Sequence, residues 1–574
     1  MSCDCLLSYV RKSGAHRRLN GKLEENLSNS TTVLMDRPKA SRIGDLQLRD
    51  DEVQSPLLRI SLGRARLIGG LDFRIVQNAN KVERVRTQNS AIAASKVAVA
   101  CTLVVMCKLF FLCFWLSSTA EWSAAFSPNL RPTSTRLDVA AYIRTTTAAI
   151  ETDEVCTVQI LMSDTGGGHR ASANALRDAF DTLHPGRIQC DIVDIYTEYG
   201  PFWPYDSYIE LYKFAAKYPI TWDIFYHFGA TDFGIWLNRL MLELFCFEPF
   251  KTCLSRPSGN SGKKADMVVS VHPLTQDIPL RILAELDSNG ATRERTGRKT
   301  PFCTVVTDLG SAHPTWFNKD VDKCFVPSDA LYLAAKKRQL QDSQIVQYGL
   351  PIRQGFWANS ESAHVAPEKV RKSLRRQLGL DENLPTVLIV GGGDGMGGIV
   401  EISKSLGVAL GTASTTTQMV VVCGNNQEAK ASLEKESWGT TVRVNVQGFV
   451  ENMDEWMKAS DALVTKAGPG TIAEASICGL PCMLFSYLPG QEEGNIPFVE
   501  EAGFGKYSGD ASVIANTVSS WLLSPEKLEA MRNAALAAAR PQATLNIAKD
   551  LADAVFAEKK KKLGDAGAKL TRTS

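Results

Sequence analysis

Several things this chain lacks narrow its function first. Its 64 lysines and arginines are nearly matched by 62 aspartates and glutamates, leaving a formal net charge of only +2. A nucleic-acid binder held by bulk electrostatics needs a strong basic excess, so that class is set aside. The 14 cysteines are scattered, with no CxxC pair and no Cys/His cluster at zinc spacing. They read as reduced core residues, not as a disulfide framework. There is no repeat period, no Gly-Lys-Ser/Thr P-loop, and no DxD-type acidic pair that stands out as a Mg²⁺ or Mn²⁺ site. Long apolar runs are also scarce. Val97–Ser118 is the clear one, and Lys108 is its only charge.

That run admits two readings. Its length would permit a membrane-spanning helix. Alternatively, from Met106 the sequence "MCKLFFLCFWLSSTAEWSAAFSPNLRPTSTR" has a basic start, an apolar core and small residues near Ala125 that suit signal-peptidase cleavage. The acid-free "FSPNLRPTSTRL" after it looks like a transit peptide, and the junction resembles the two-part leader of plastids entered through the secretory route. The expected organisation is a disordered segment or gene-model extension over 1–105 and a targeting leader over 106–152. Two lobes follow over 153–350 and 351–545, and then a C-terminal helix with a basic tail over 546–574.

What is present in the rest is the material of a folded protein, 44% hydrophobic and 22% charged. From Val155 short apolar runs alternate with amphipathic helical stretches, the sign of βα units on parallel sheets. "VQILMS", "QCDIVDI", "MVVSVH", "FCTVVTD" and "KCFVPS" are the first strand candidates. The rhythm breaks on Gly and Pro at Tyr348–Trp357, then restarts with "TVLIV", "QMVVVCG", "VRVNVQGFV", "ALVTKAG" and "PCMLFS". The restart repeats the opening pattern of strand, glycine turn and helix, so the expected fold is α/β with two Rossmann-like lobes facing a cleft. Pro201–Phe250 departs from the rhythm and is crowded with Trp, Tyr and Phe. Those rings suit either a membrane–water boundary or an aromatic core under a helical cap, and opposite faces of the same helices can serve both.

Three turns of the second lobe and one of the first carry chemistry. Glycines after a strand let the backbone approach a phosphate, and the next helix offers unpaired N–H groups with partial positive charge. "GGGDGMGG" (Gly391–Gly398) contains G-x-G-x-x-G, yet its next strand ends on Cys423, Gly424 and Asn425, where a dinucleotide site wants an acid. NAD and ATP are therefore disfavoured. In "TKAGPGTIAEA", Lys466 and the turn Gly468-Pro469-Gly470 with Thr471 open a helix bearing Glu474, a carboxylate able to accept both hydroxyls of a ribose. In "PGQEEGNIPFV", Gln491, Glu492, Glu493 and Asn495 supply donors and acceptors that suit sugar hydroxyls. On the first lobe "ILMSDTGGGHRAS" puts His169 at a helix start, where it can move a proton, bind an anion or cap the helix. Asp164, five residues earlier, can orient the ring or itself be the base.

"DTGGGHRAS", "HPLTQDIPLRIL", "TDLGSAHPTWF", "YGLPIR", "GGGDGMGG", "VCGNN", "TKAGPGTIAEA" and "GQEEGNIPFV" stand in the order seen in monogalactosyldiacylglycerol synthases. From Val155 to Ala554 the chain resembles that family, which lies in glycosyltransferase family 28 beside the bacterial peptidoglycan N-acetylglucosaminyltransferase. The resemblance implies a GT-B fold that transfers galactose from UDP-galactose to diacylglycerol with inversion. The nearest rival is a relative moving glucose or N-acetylglucosamine to a lipid. By the same likeness Arg353, Gly392, Gly393, Asp394, Gly395, Met396, Gly397, Gly424, Asn425, Phe449, Val450 and Gly468–Thr471 would surround UDP. Glu474 would hold the ribose, with Gln491, Glu492 and Asn495 near the galactose. His169, Pro204, His272 and Trp316 would face the lipid side, including an activating anionic lipid. No metal or other cofactor is expected, and the implied setting is peripheral attachment to a plastid membrane, with a homodimer left open. Two departures stand out: Asp394 replaces the family's usual Glu, and the N-terminal extension is long.

Overall fold

The computed structural model describes residues 155–570 apart from 166–167, 218, 260–261, 289–294, 359–366 and 393–397. The leader and the Val97–Ser118 run lie outside the described residues. So do Gly393, Asp394, Gly395, Met396 and Gly397 of the second glycine turn.

Apolar, β-branched runs too short for helices form two sheets. The first holds β1 (Cys156–Met162), β2 (Ile188–Asp194), β3 (Met267–Ser270), β4 (Phe302–Val305), β5 (Lys323–Val326) and β6 (Ile345–Gln347), in the order β2-β1-β3-β4-β5-β6. The second holds β7 (Thr386–Val390), β8 (Thr417–Val422), β9 (Val442–Gln447), β10 (Ala462–Thr465), β11 (Cys482–Leu484) and β12 (Gly505–Tyr507), in the order β12-β11-β10-β7-β8-β9. Every pairing is parallel. Helices cover both faces, which is why β1 and β8 are buried along their whole length. The fold is the expected pair of Rossmann-like lobes, and both fall in one compact unit.

Strand order locates the sites. In the first lobe the chain leaves β1 toward β2 on one side and reaches β3 on the other; in the second, β7 is flanked in the same way by β8 and β10. Crevices open at such reversals, beyond the carboxyl ends of the strands. His169 follows β1 and His272 follows β3, whereas Gly392 follows β7 and Lys466 follows β10.

The last helix departs from the expected layout. It runs Ala543–Leu570, begins inside the region assigned to the second lobe, and crosses back onto the first. There it packs on the helix Gly168–Leu183 and against β1. Its Ile547, Leu551 and Val555 share an apolar cluster with Phe180 and Leu183, and Phe556 meets His184 edge-on at 5.1 Å. A stripe of apolar residues repeating at helical spacing, not a solvated tail, explains why.

The aromatic segment Pro201–Phe250 forms helices that serve two environments. Tyr208, Trp222, Leu242 and Phe250 point into the protein, but Trp203, Phe225, Phe233 and Trp236 are exposed by half or more of their surface. Among the described residues no helix is long and apolar enough to cross a membrane.

Candidate functional site

His169 lies in the first turn of the helix Gly168–Leu183 and is buried. Its Nδ1 is 2.8 Å from the Val271 carbonyl and 3.0 Å from the Thr307 hydroxyl. A carbonyl can only accept, so Nδ1 carries the hydrogen and Nε2 keeps its lone pair. Burial lowers the imidazole to about pKa 4, against the pull of the Val271 bond and Asp164. The ring is therefore neutral near pH 7 and able to take a proton; it is not a fixed cation for an anionic ligand. Nor does its Nδ1 cap the helix, since that atom is turned to β3.

The orienting contact differs from expectation. Asp164 is held by Arg170, whose Nε reaches its carboxylate at 2.7 and 2.8 Å, so Val271 and not Asp164 fixes the ring. Two residues expected to face lipid are enclosed instead. His272 is buried, accepts at Nδ1 from the Leu274 N–H at 3.3 Å, and donates from Nε2 to Thr165 Oγ1 at 3.1 Å. Trp316 is 0% exposed and donates from Nε1 to Asp308 at 2.7 Å. Both rings stand beside His169, with centroids at 4.6 and 6.2 Å, as the wall behind it. Pro204 alone of the expected lipid set lies near the surface, next to exposed Trp203.

On the second lobe the described members of the expected set line one edge. Gly392 takes φ +75° and Gly424 φ +58°, both open to glycine and strained for other residues. A Cβ on Gly392 or on Gly468 would lie 3.6 Å from the Lys466 side chain, so these two turns are neighbours. Pro469 begins the helix Pro469–Ile477, and no side chain caps that start, leaving its N–H groups for an anion. Asn425 and Phe449 are exposed at the ends of β8 and β9, with Val450 half-buried beside them. Glu474 is buried and grips Arg353 through both oxygens, at 2.7 and 2.6 Å. Burial raises its carboxyl above the usual range while Arg353 draws it back. An ionised carboxylate has about four acceptor sites, so two remain for ribose hydroxyls.

The third turn bridges the lobes. Glu492 is buried, pairs with Lys466 at 2.8 Å and accepts from the Leu488 N–H at 3.0 Å. Asn495 accepts from Gly310 N–H at 2.7 Å and donates to the Ala467 carbonyl at 2.8 Å. Ser311 Oγ reaches the carbonyls of Gly490 and Gln491 at 3.2 and 3.1 Å, and Trp222 Nε1 donates to Pro489 at 3.0 Å. The expected sugar loop is thus gripped from the opposite lobe. Reading the sequence missed Trp222, Gly310 and Ser311, which grip that loop, and Thr307, which touches His169. "TDLGSAHPTWF" held three of them, but their partners lie more than a hundred residues away.

Among the described residues no group of three His, Cys, Asp or Glu is placed to hold a metal ion. One Asp-x-Asp does occur, at Asp320 and Asp322, and the sequence reading passed over it. It precedes β5, at the edge of the sheet away from His169, where Asp322 accepts from the Phe302 N–H at 2.8 Å and pairs with Arg298 at 3.3 Å.

Family models match the chain twice: monogalactosyldiacylglycerol (MGDG) synthase over residues 169–352, and the glycosyltransferase family 28 C-terminal domain over 386–553. Monogalactosyldiacylglycerol synthase 1, chloroplastic, of Arabidopsis thaliana is 40% identical over 412 residues, 71% of this chain and 72% of that one. The chain belongs to the monogalactosyldiacylglycerol synthase family. The synthase of Spinacia oleracea is likewise 40% identical, over 72% of this chain and 75% of its own. Among solved structures, MurG of Acinetobacter baumannii aligns with 69% of this chain and 98% of its own at 15% identity, with a TM-score of 0.42. The family's two matched regions correspond to the two lobes, and the residues between them, 353–385, hold Arg353 and the crossing from one lobe to the other.

Proposed function

We propose that this chain transfers galactose from UDP-galactose to the free hydroxyl of diacylglycerol, forming monogalactosyldiacylglycerol. Relatives named as that synthase, at 40% identity over most of both chains, support the reaction. The structural observation that carries the chemistry is a neutral His169 with Nε2 unprotonated, at the carboxyl edge of one lobe opposite the phosphate-friendly turns of the other.

In this reading the second lobe holds the donor. Backbone N–H groups at the start of the helix Pro469–Ile477, with Lys466 and Arg353, neutralise the diphosphate. Glu474 binds the ribose, and Gln491 and Glu492 the hexose; Asn495, expected beside the sugar, is fully buried and instead ties the loop to Gly310 and Ala467. The acceptor hydroxyl attacks the anomeric carbon from the face opposite the phosphate. As the new carbon–oxygen bond forms, the bond to phosphate breaks and UDP leaves with the electron pair. The hydroxyl proton becomes acidic as that bond forms, and His169 Nε2 accepts it. A base with a low pKa suffices, because the proton is released late. One displacement inverts the configuration, so the product is the β-galactoside.

The exposed rings of Trp203, Phe225, Phe233 and Trp236 support peripheral contact with a membrane on the first-lobe side, where diacylglycerol enters. Anionic lipid is assigned to the same side, next to Pro204. The chloroplastic relatives support a plastid location.

The test is product analysis. Purified protein with diacylglycerol micelles and labelled UDP-galactose should yield a β-galactolipid, with far less product from UDP-glucose. Equal or greater transfer of glucose would overturn the donor assignment.

A further inference from the structure

The two lobes meet main chain to main chain where a glycine stands on each side. A Cβ on Gly310 would overlap the carbonyl of Gly494, and a Cβ on Gly494 would lie 2.7 Å from the Gly310 carbonyl carbon and 2.8 Å from its oxygen. Neither position has the positive φ that usually calls for glycine, and Gly494 sits at φ −64°, open to any residue. What glycine provides here is therefore close approach, not conformational freedom. The contact is also pinned. The Gly310 N–H donates to Asn495 Oδ1 at 2.7 Å, and Asn495 Nδ2 donates to the Ala467 carbonyl at 2.8 Å.

Each side of this contact leads within a few residues to a candidate reacting group. Thr307, three residues before Gly310, stands 3.0 Å from His169 Nδ1. The stretch between them is fixed to its own lobe: Asp308 accepts from Trp316 Nε1 at 2.7 Å, and the Leu309 carbonyl accepts from Ser328 Oγ at 2.5 Å. Across the gap, Ala467 lies between Lys466 and Gly468, in the turn that the proposed scheme uses for the diphosphate. We propose that Gly310 and Gly494 form a backbone stop that sets how far the lobes close, so that Gly310 is a positioning residue for the transfer, fixing the gap between His169 and the donor sugar. The proposal rests on the reading of His169 as the base and of the second lobe as the donor site. Packing within either lobe does not account for the pair, because the atoms nearest each added Cβ belong to the other lobe.

A methyl on either glycine meets backbone, not the end of a flexible side chain, so the lobes must part to admit it. Asn495 and Ala467 belong to the same lobe and move together, which leaves the donor site whole while the sugar is carried away from His169 Nε2. A misplacement of about 1 Å between reacting groups costs about 10²-fold in rate. The loss therefore falls on kcat and not on donor binding. Nor do the two substitutions add: once one methyl holds the gap open, the second finds room in it.

The experiment compares the full chain with Gly310→Ala, Gly494→Ala and the double variant, measuring kcat with UDP-galactose and diacylglycerol, and UDP affinity by calorimetry. Each single variant should lose about 10²-fold in kcat while its UDP affinity stays within about threefold of the starting value. The double variant should lose no more than about threefold beyond the worse single one. Should Gly310→Ala not yield folded protein, Gly494→Ala reads the same gap from the other side. A near-normal kcat in either single variant, losses that multiply in the double one, or loss of UDP binding by both single variants would each overturn the proposal. If the unsubstituted chain binds no UDP, the donor-site reading falls and this proposal with it; if it binds UDP and transfers galactose while Gly310→Ala keeps its kcat, only the proposal falls.

Discussion

The imidazole of His169 donates from Nδ1 to a backbone carbonyl, so the nitrogen left for chemistry is Nε2. Replacing His169 with Ala should lower kcat by about 10²–10⁴-fold while UDP affinity, set in the other lobe, stays within experimental error. Near-normal turnover by that variant would remove the base assignment. The same burial has a cost for stability. An unfolded histidine titrates near 6.5, whereas the folded one titrates at about 4. Between those values the unfolded chain binds the extra proton, so stability is complete above about pH 6.5 and falls as pH drops toward 4, by up to about 3 kcal/mol. Denaturant midpoints measured from pH 7 to about pH 4.5 should fall less steeply for His169→Gln than for the unsubstituted chain. Residue roles of this kind were only half legible beforehand. His169 and Glu474 announce themselves by standing at glycine-flanked helix starts. The tautomer could not be read, because the Val271 carbonyl that sets it lies 102 positions away. The enclosure of His272 and Trp316 was hidden for the same reason.

Turns and helix starts do the work that no single side chain does. Gly490 has φ +71°, and a Cβ there would overlap the Tyr226 ring. Gly490→Ala should therefore push the sugar loop off the aromatic helices and raise the donor KM by about tenfold, with little change in overall melting. An unchanged donor KM would mean that this contact does not shape the donor site. At the other end of the proposed donor site, the uncapped helix Pro469–Ile477 with Lys466 and Arg353 would supply the positive charge for the leaving diphosphate. Dialysis against a chelator should accordingly leave most activity intact, and a collapse restored by Mn²⁺ would refute the metal-free scheme. Elements were the most legible level of the sequence. The buried strands β1, β7 and β8 announce themselves by the apolar stretches at residues 160–162, 387–390 and 419–422. β6 (Ile345–Gln347) and β12 (Gly505–Tyr507) escaped notice, since a three-residue edge strand with exposed positions leaves no run to see.

Across the molecule, the two lobes are joined by more than the crossing at residues 353–385. The Pro489–Asn495 loop is clasped by the first lobe, and the helix Ala543–Leu570 returns to it. Leu551 is 1% exposed at that return. Leu551→Ala should destabilise the protein by about 2–4 kcal/mol, and both lobes should still unfold in a single transition. Two separated transitions, with only the second lobe shifted, would show that the helix is a mere appendage. Two α/β lobes were readable from the restarted strand–glycine–helix pattern, but the return of the last helix was not, because an apolar stripe names no partner.

That return imposes a schedule on biogenesis. The hydrophobic interior around Phe180 and Leu183 stays incomplete until Ile547, Leu551 and Val555 have been synthesised. The half made first must therefore wait, sticky and unfinished, for nearly the entire polypeptide to emerge.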